Sequence, residues 1–153
     1  MYYIFVENNK IIGKGKCKCL NDETLNFEVS EEIFNDFEKY IFKDGQIVLD
    51  DDFEEKQKQK EKERIARLSL TRGDVFRALL QAHQVTRDQI RKLIENNENL
   101  SEIKKEMALI DFDEALNFYR GNELIDILGG TLGISSEQLD CFFEDGDFKH
   151  LLS

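Results

Sequence analysis

The chain has 153 residues, of which 41% are hydrophobic, and its formal net charge of −11 gives an isoelectric point near 4.7. This length suits one domain or two small ones, and the apolar content supports a hydrophobic core, so we expect a soluble globular protein. The excess of acidic residues disfavours direct nucleic-acid binding, because such binding needs lysine and arginine side chains that displace phosphate counterions.

The charge is unevenly distributed along the chain. Residues 1–53 have a formal charge of −6, residues 54–92 of +5 and residues 93–153 of −10. A basic middle between two acidic ends can pair within one chain, pair between two copies, or bind an acidic partner. The pattern therefore allows a homo-oligomer without requiring one.

Neither secretion nor membrane insertion is predicted. The amino terminus lacks the basic start and long apolar segment of a signal peptide, and no apolar run approaches the roughly 18 residues that a transmembrane helix needs. The three cysteines, Cys17, Cys19 and Cys141, are an odd number, which fits a reducing compartment better than a disulfide framework. We therefore expect synthesis in a cytoplasm and no membrane association.

The first fifty residues favour strands over helices. Aromatic and β-branched residues fill positions 2–6, and positions 10–20 alternate loosely after a two-asparagine break, which predicts two antiparallel strands. In the second strand, alternation puts Cys17 and Cys19 on the same face, and we expect that face to be buried.

A third strand, a short helix and a hairpin follow. Residues 25–29 predict the strand, and a serine followed by two glutamates predicts the start of the helix, since the hydroxyl caps the first turn and the carboxylates face its positive end. Residues 40–43 and 46–49 flank Asp44-Gly45, a pair that suits the left-handed backbone of a type I′ turn. Residues 1–50 are thus predicted to form a small antiparallel β module with the order β-β-β-α-β-β.

The same region resembles a known group of proteins. The segments KIIG at 10–13, EVSEEIF at 28–34 and YIFKDGQIVLDDDFEEK at 40–56 are similar to the front end of small bacteriophage proteins commonly encoded beside tail-fibre genes. The resemblance covers residues 2–55, about a third of the chain. It implies a viral tail-module accessory that is made in the cytoplasm of a host bacterium, acts by binding protein, and can become part of the virion tail.

Residues 51–68 have the composition of a solvated helix. They consist almost entirely of charged residues and glutamine, and the central part would extend on the order of 20 Å if helical. Positions three and four apart are lysine, glutamine or glutamate, so a sustained coiled coil is disfavoured. We predict a charged linker helix between two modules.

Residues 69–153 are predicted to form an all-helical domain with an internal repeat. Residues 78–95 align without gaps onto residues 127–144 at an offset of 49. In each copy, a threonine or serine opens the second helix and a glutamine stands three positions later, which is a capping-box arrangement. Two helix-turn-helix units are therefore predicted, and the whole chain is assigned to the α+β class.

A longer amphipathic helix is predicted between the two units, over residues 101–119. Apolar residues at helical spacing would form its buried stripe, and Arg120-Gly121 would end it. The predicted stripe consists of Ile103, Met107, Ile110, Leu116 and Tyr119.

The helix-turn-helix units invite a DNA-binding interpretation, in which the second helix enters the major groove. Arg87 and Arg91 make the first copy electrostatically suitable, whereas Asp140 and Glu144 contribute to a negative second copy that phosphates would repel. Two-helix corners are also common packing units, so packing is the default interpretation. These four residues are candidates for partner binding.

Phe142 and Phe143 are the remaining candidates for partner contact. Adjacent aromatic residues on a helix cannot both face a single buried stripe, so one ring can lie on the surface and contact another protein. The alternative is a helix that is buried on two sides.

We recognise no catalytic, cofactor-binding or metal-binding constellation. The two histidines, His83 and His150, do not assemble with other residues into a Ser-His-Asp or Cys-His arrangement. A zinc site built from them and the cysteines would combine residues of different modules and lacks a second cysteine pair. We therefore expect a non-enzymatic protein without a cofactor.

Two functions from different classes fit these features. The first is a phage or prophage tail-fibre-associated assembly or attachment factor, in which the β module binds one partner protein and the helical domain another. The alternative is an acidic inhibitor of a host defence nuclease, an anti-CRISPR-like mimic whose helical domain occupies a basic nucleic-acid channel. A weaker third is a transcriptional regulator that uses the first helix-turn-helix unit.

Overall fold

The computed structural model describes residues 1–152 and confirms a mixed α+β protein. The chain divides into two compact units, of which the first is Met1–Lys58 and the second begins at Gln59. The boundary falls within a helix, in the segment where the composition predicts a charged linker.

The first unit has the predicted order β-β-β-α-β-β. A three-stranded antiparallel sheet has the spatial order β2-β1-β3, and β4 pairs with β5 as a hairpin. The elements are β1 (Tyr2–Glu7), β2 (Lys10–Gly15), β3 (Leu25–Val29), α1 (Glu31–Asn35), β4 (Tyr40–Lys43) and β5 (Gln46–Leu49). The hairpin turns at Asp44 and Gly45, which both have positive φ, as the sequence predicts.

β1 is the central strand of this sheet, with Ile4 and Val6 fully buried. On its other face, the Phe5 ring lies across the glycines of β2, because Phe5 is opposite Gly13 in the register. A Cβ atom added at Gly15 would stand 2.7 Å from Cζ of Phe5. The glycines of β2 therefore make room for the Phe5 ring. Aromatic side chains often cover glycines in sheets in this way.

The prediction for the cysteines is wrong. β2 ends at Gly15, so Cys17 and Cys19 lie outside the strand, and Cys17 is exposed. The Asn26 side chain accepts a hydrogen bond from the Cys19 N–H at 2.7 Å and donates one to the Cys19 carbonyl at 3.1 Å. These bonds replace the strand ladder, which alternation alone could not reveal.

A helix spans the boundary of the two units, α2 (Phe53–Ala66), and no residue in it is buried. At its start, Lys56 Nζ contacts both carboxylate oxygens of Asp50, at 2.9 and 2.8 Å. This ammonium group lowers the pKa of Asp50 below its ordinary value. The sequence prediction of a solvated helix over this segment is confirmed.

The second unit is mostly helical. Its elements are β6 (Ser69–Thr71), α3 (Arg72–His83), α4 (Arg87–Glu95), α5 (Glu102–Glu114), β7 (Asn117–Tyr119), α6 (Glu123–Leu132) and α7 (Ser136–Asp145), followed by a 3₁₀ turn over Phe148–Leu151. Both predicted helix-turn-helix units are confirmed, as α3–α4 and α6–α7, and both predicted capping boxes are present.

The prediction of an all-helical domain is wrong in one respect, since β6 and β7 form a two-stranded antiparallel ribbon. The helix predicted over residues 101–119 accordingly stops at Glu114, and Ala115 has extended backbone. The N–H of Arg72 donates to the Leu116 carbonyl, and the N–H of Arg120 donates to the Leu68 carbonyl. These long-range bonds satisfy backbone N–H and carbonyl groups that would bond within the helix if α5 were longer.

The ribbon extends the internal repeat beyond the helices. Ser69 to Gly73 (SLTRG) and Asn117 to Gly121 (NFYRG) match at an offset of 48, and the equivalent residues Leu70 and Phe118 lie opposite each other in the ribbon. The two hydrogen bonds between the flanking residues are also reciprocal. The two β-α-α copies are thus related by a local pseudo-twofold through the Leu70–Phe118 pair.

Two adjacent glycines of α6 differ in their surroundings, and this predicts substitutions of opposite sign. An added Cβ at Gly130 meets nothing within 4 Å, whereas one at Gly129 would stand 2.7 Å from Leu139 Cδ1 and 3.3 Å from the Ile134 carbonyl oxygen. Gly130→Ala should raise the free energy of unfolding by roughly 0.5–1 kcal/mol, because alanine favours helix. Gly129→Ala should lower it, because overpacking costs about 1–3 kcal/mol.

Urea denaturation followed by circular dichroism measures both glycine variants, and each serves as the control for the other. Equal shifts of the same sign would contradict the packing of α6 against α7.

Candidate functional site

The candidate site is the outward face of α5, which carries large apolar side chains. Ile103, Met107 and Ile110 are 75%, 62% and 53% exposed. The periodicity of the sequence predicts that this stripe is buried, and that prediction is wrong. Leu116 and Tyr119, the other two members of the predicted stripe, are also exposed.

The opposite face of α5 is the one that packs into the core. Ala108 and Phe112 are 5% and 0% exposed, and the Phe112 ring contacts Phe76 at a centroid distance of 5.1 Å. Ala108 and Phe112, four positions apart, therefore anchor α5 in the core. The Ile-Met-Ile stripe, which has more apolar residues, faces solvent.

The exposed stripe has the spacing of a helical contact surface. Positions 103, 107 and 110 are four and three residues apart, so their side chains share one side of the helix over about 10 Å. Single exposed apolar residues are ordinary on protein surfaces, but a contiguous group of them marks interaction surfaces. We call Ile103, Met107 and Ile110 the α5 face.

A depression borders the α5 face. It has a volume of about 250 Å³ and lies between α5 and α6, where Met107, Ala108, Leu124 and Ile127 contribute to its lining. A wider cleft of about 600 Å³, which also includes Ile127, continues between α6 and the end of α4. The apolar surface is therefore a ridge beside a groove, a shape into which another chain can insert a side chain.

The charges around the α5 face are predominantly acidic. Glu102, Glu106 and Glu114 are exposed on α5 itself, and among the ion pairs of residues 1–152 neither Glu106 nor Glu114 takes part. The two lysines of α5 are both paired, Lys104 with Glu123 at 2.5 Å and Lys105 with Glu102 at 2.9 Å. The rim is therefore net negative.

Two positions of the α5 face have polar counterparts in the other copy of the internal repeat. Two residues separate α2 from β6, and two separate α5 from β7, so Gln59 and Lys62 in α2 correspond to Met107 and Ile110 in α5. Exposed polar residues thus occupy the corresponding positions of a helix that precedes the same β-α-α arrangement. The apolar residues at these positions of α5 are therefore better explained by contact with a partner than by packing within the unit.

The predicted candidates Arg87 and Arg91 lie on α4 and are both engaged within the unit. Their guanidinium groups contact the Asp113 carboxylate, and their Cζ atoms stand 5.4 and 5.6 Å from the centre of the Phe112 ring. The two arginines therefore cover Phe112 and pair with α5, a cation–π and ionic arrangement that joins α4 to α5. This geometry favours the interpretation of the α3–α4 unit as a packing unit over binding of its second helix in the major groove of DNA.

The Asp113 cluster predicts a pH dependence of stability. Arg91, with a smaller contribution from Arg87, holds the pKa of Asp113 below its ordinary value of 3.8. A carboxyl whose pKa is lower in the folded state contributes stability that is fully present above its unfolded pKa and is lost as the pH falls through its folded pKa.

We expect Asp113→Asn to lower the free energy of unfolding at about pH 6, and the difference from the wild type to shrink as the pH falls below the ordinary carboxyl pKa. Urea titrations of both proteins over a series of pH values measure this difference. A difference that stays constant down to the most acidic pH would contradict the ion-pair account.

The predicted surface at Phe142 and Phe143 is buried. The two side chains are 1% and 3% exposed, with ring centroids 5.5 Å apart in an edge-to-face arrangement. α7 contacts α6 and also the terminal 3₁₀ turn over Phe148–Leu151, so it is buried on two sides. The expectation that one ring is exposed is wrong, and the two-sided alternative is correct.

Asp140 and Glu144 are bound to arginines of the same unit. Asp140 accepts a hydrogen bond from Arg120 Nε at 2.6 Å, and Glu144 pairs with Arg64. Part of the negative charge of α7 is thus neutralised internally. The six predicted partner-binding residues are divided between two helices, two on α4 and four on α7, and two of the four on α7 are buried phenylalanines.

The cluster around Arg120 was not predicted from the sequence. Arg120 follows β7, its side chain is 8% exposed, and it donates to Asp126 at 2.8 Å and to Ser136 Oγ at 2.7 Å, in addition to Asp140. It joins the ribbon to both helices of the second repeat copy. The repeated Arg-Gly pairs at 72–73 and 120–121 were the available signal.

The first unit also presents apolar groups at its sheet edges. β2 and β3 are the outer strands of the three-stranded sheet, and neither pairs with a further strand within residues 1–152. Ile12 on β2 and Leu25 on β3 are 53% and 55% exposed. Such edges can accept an added strand from another chain.

Two further findings concern metals and membranes. Within residues 1–152, the His, Cys, Asp and Glu side chains form no group of three or more that could hold a metal ion. None of the helices in that range is long and apolar enough to cross a bilayer.

Comparison of the chain with protein-family models, with curated proteins and with solved structures finds no match.

Proposed function

We propose that this chain is a non-enzymatic phage or prophage factor that acts by binding proteins, and that its second unit binds a partner through the α5 face. The observation that carries the proposal is the exposure of Ile103, Met107 and Ile110 on one side of a helix whose other side is fully packed. Burying such side chains against another protein removes apolar area from water, which contributes a favourable free energy of about 25 cal/mol per Å².

The tail-module role is supported by the resemblance of residues 2–55 to small proteins encoded beside tail-fibre genes. That range coincides closely with the first compact unit, Met1–Lys58. A module of this kind can bind one tail component while the second unit binds another. We therefore propose a tail-fibre-associated assembly or attachment factor.

Affinity capture of the tagged protein from phage-infected or prophage-induced cells tests this role. We expect tail-fibre or baseplate protein to be recovered by the wild type, and recovery to fall at least tenfold for Met107→Ser/Ile110→Ser. The matched control is Leu80→Ser, which removes a 50% exposed leucine from α3 in the same unit and should leave recovery unchanged.

The competing nuclease-inhibitor function gives a different result in the same experiment. Recovery of a host nuclease that is lost as the salt concentration rises would replace the tail role with inhibition, because contacts between exposed charges are screened by salt. Recovery that is equal for the α5 and Leu80 variants would reject the α5 face as the binding surface.

A further inference from the structure

We propose that the α5 face binds a basic amphipathic helix of its partner, lying along α5 with its apolar side on Met107 and its lysine and arginine side chains over the acidic rim. This inference rests on the proposed function and specifies the chemistry of the partner. It concerns the second unit alone.

The shape of the surface selects a helix as the occupant. The three apolar residues follow helical spacing over two turns, and the bordering depression between α5 and α6 has space for a side chain that reaches past Met107. An amphipathic helix presents apolar groups at positions i, i+3, i+4 and i+7, which match a ridge and groove of this length.

The charge around the surface selects a basic occupant. Glu106 and Glu114 flank the α5 face without a partner among residues 1–152, while Lys104 is held by Glu123. Residues 93–153 as a whole have a formal charge of −10. Lysine and arginine on the flanks of the incoming helix would complement this field, which speeds association and penalises acidic partners.

The same charges disfavour a second copy of the chain as the occupant. Two copies would each bring a formal charge of −11, and two α5 faces would bring their glutamates together. Three apolar side chains per copy also form a surface well below the standard size of a stable interface. A basic helix avoids the repulsion between like charges, and the small area is typical of weak, transient complexes, for which we expect a dissociation constant in the micromolar range.

Methyl NMR of the intact protein tests this inference directly. The chain has two methionines, Met1 and Met107, so ¹³C-methyl methionine labelling gives one reporter on the α5 face and one at the amino terminus. Met107→Leu assigns the signals. The probes are three synthetic peptides of about 18 residues, long enough to form a helix, with leucine at i, i+3, i+4 and i+7 and lysine, glutamine or glutamate elsewhere.

We expect the lysine peptide to shift the Met107 methyl signal saturably and leave Met1 unchanged. Its affinity should fall at least threefold between about 50 and 200 mM salt, and at least tenfold for Ile103→Ser/Ile110→Ser. The glutamate peptide should not bind. Binding of the glutamine peptide as tight as that of the lysine peptide would overturn the charge requirement.

Three further outcomes would also overturn the inference. Lysine-peptide binding that is unchanged in Ile103→Ser/Ile110→Ser would be non-specific attraction to an acidic protein. A Met107 shift that depends on protein concentration alone would identify a second copy as the occupant. If no peptide binds while Met107→Ser/Ile110→Ser still loses partner capture, the partner chemistry is wrong and the proposed function stands.

Discussion

Replacing Arg120 by alanine is expected to lower the free energy of unfolding of the second unit by roughly 2–4 kcal/mol. The guanidinium group is 8% exposed and donates to Asp126, Asp140 and Ser136. Removing it leaves two carboxylates without their cation. The expected cost lies toward the lower end of that for a fully buried pair, because the Asp126 and Asp140 side chains are 60% and 32% exposed and keep part of their hydration.

Two variants provide controls for Arg120→Ala. Arg120→Lys keeps the charge but cannot reach three acceptors at once, so an intermediate loss is expected. Arg77→Ala removes an arginine that is 71% exposed and pairs with Asp74 one turn away. It should cost less than about 0.5 kcal/mol. Urea denaturation measures all three, and equal losses for Arg120→Ala and Arg77→Ala would contradict the structural role of the cluster.

Phe112→Ala is expected to lower the free energy of unfolding by about 3–5 kcal/mol. The ring is fully buried and contacts Phe76, Arg87 and Arg91, so its removal leaves a cavity beneath the two guanidinium groups. Alanine favours helix, so the loss would report packing rather than helix propensity.

Met107→Ala on the same helix is the matched control for Phe112→Ala. Because the Met107 side chain is 62% exposed, its truncation should change the free energy of unfolding by less than about 0.5 kcal/mol. The pair of variants thus determines which side of α5 faces the core. A loss at Met107 as large as that at Phe112 would mean that the α5 face is packed within the protein and unavailable to a partner.

Local signals in the sequence predict local structure well. The serine and threonine caps, the glutamine of each capping box and the Asp44-Gly45 turn all act between residues that are two to four positions apart. Their geometry depends on the backbone nearby and not on the rest of the fold. The order of the first unit and both helix-turn-helix units follow from such signals.

The orientation of α5 could not be predicted in the same way. The helix carries apolar residues on two sides, and periodicity favours the larger group, Ile103, Met107 and Ile110. The actual choice depends on Phe112, whose ring is held by Phe76 and by the arginines of α4. Those partners come from distant parts of the chain, so no local pattern identifies the buried side.

The β6–β7 ribbon was not predicted from the sequence, for a related reason. Each strand has three residues, too short for alternation to be distinguished from helix, and each is stabilised by the other across nearly fifty positions of sequence. The Arg-Gly pair that follows each strand was the usable signal, since a repeat extending through residues 72–73 and 120–121 predicts that each copy has a strand as well as two helices.

Site-specific photo-crosslinking in infected cells tests the central claim most directly, that the α5 face contacts a partner protein. A benzophenone side chain placed at position 107 should yield one dominant adduct with a phage tail protein, whereas the same group at position 80, on the exposed side of α3, should yield little. An adduct at position 80 as strong as that at 107, or none at 107 while the intact protein still captures its partner, would contradict the account.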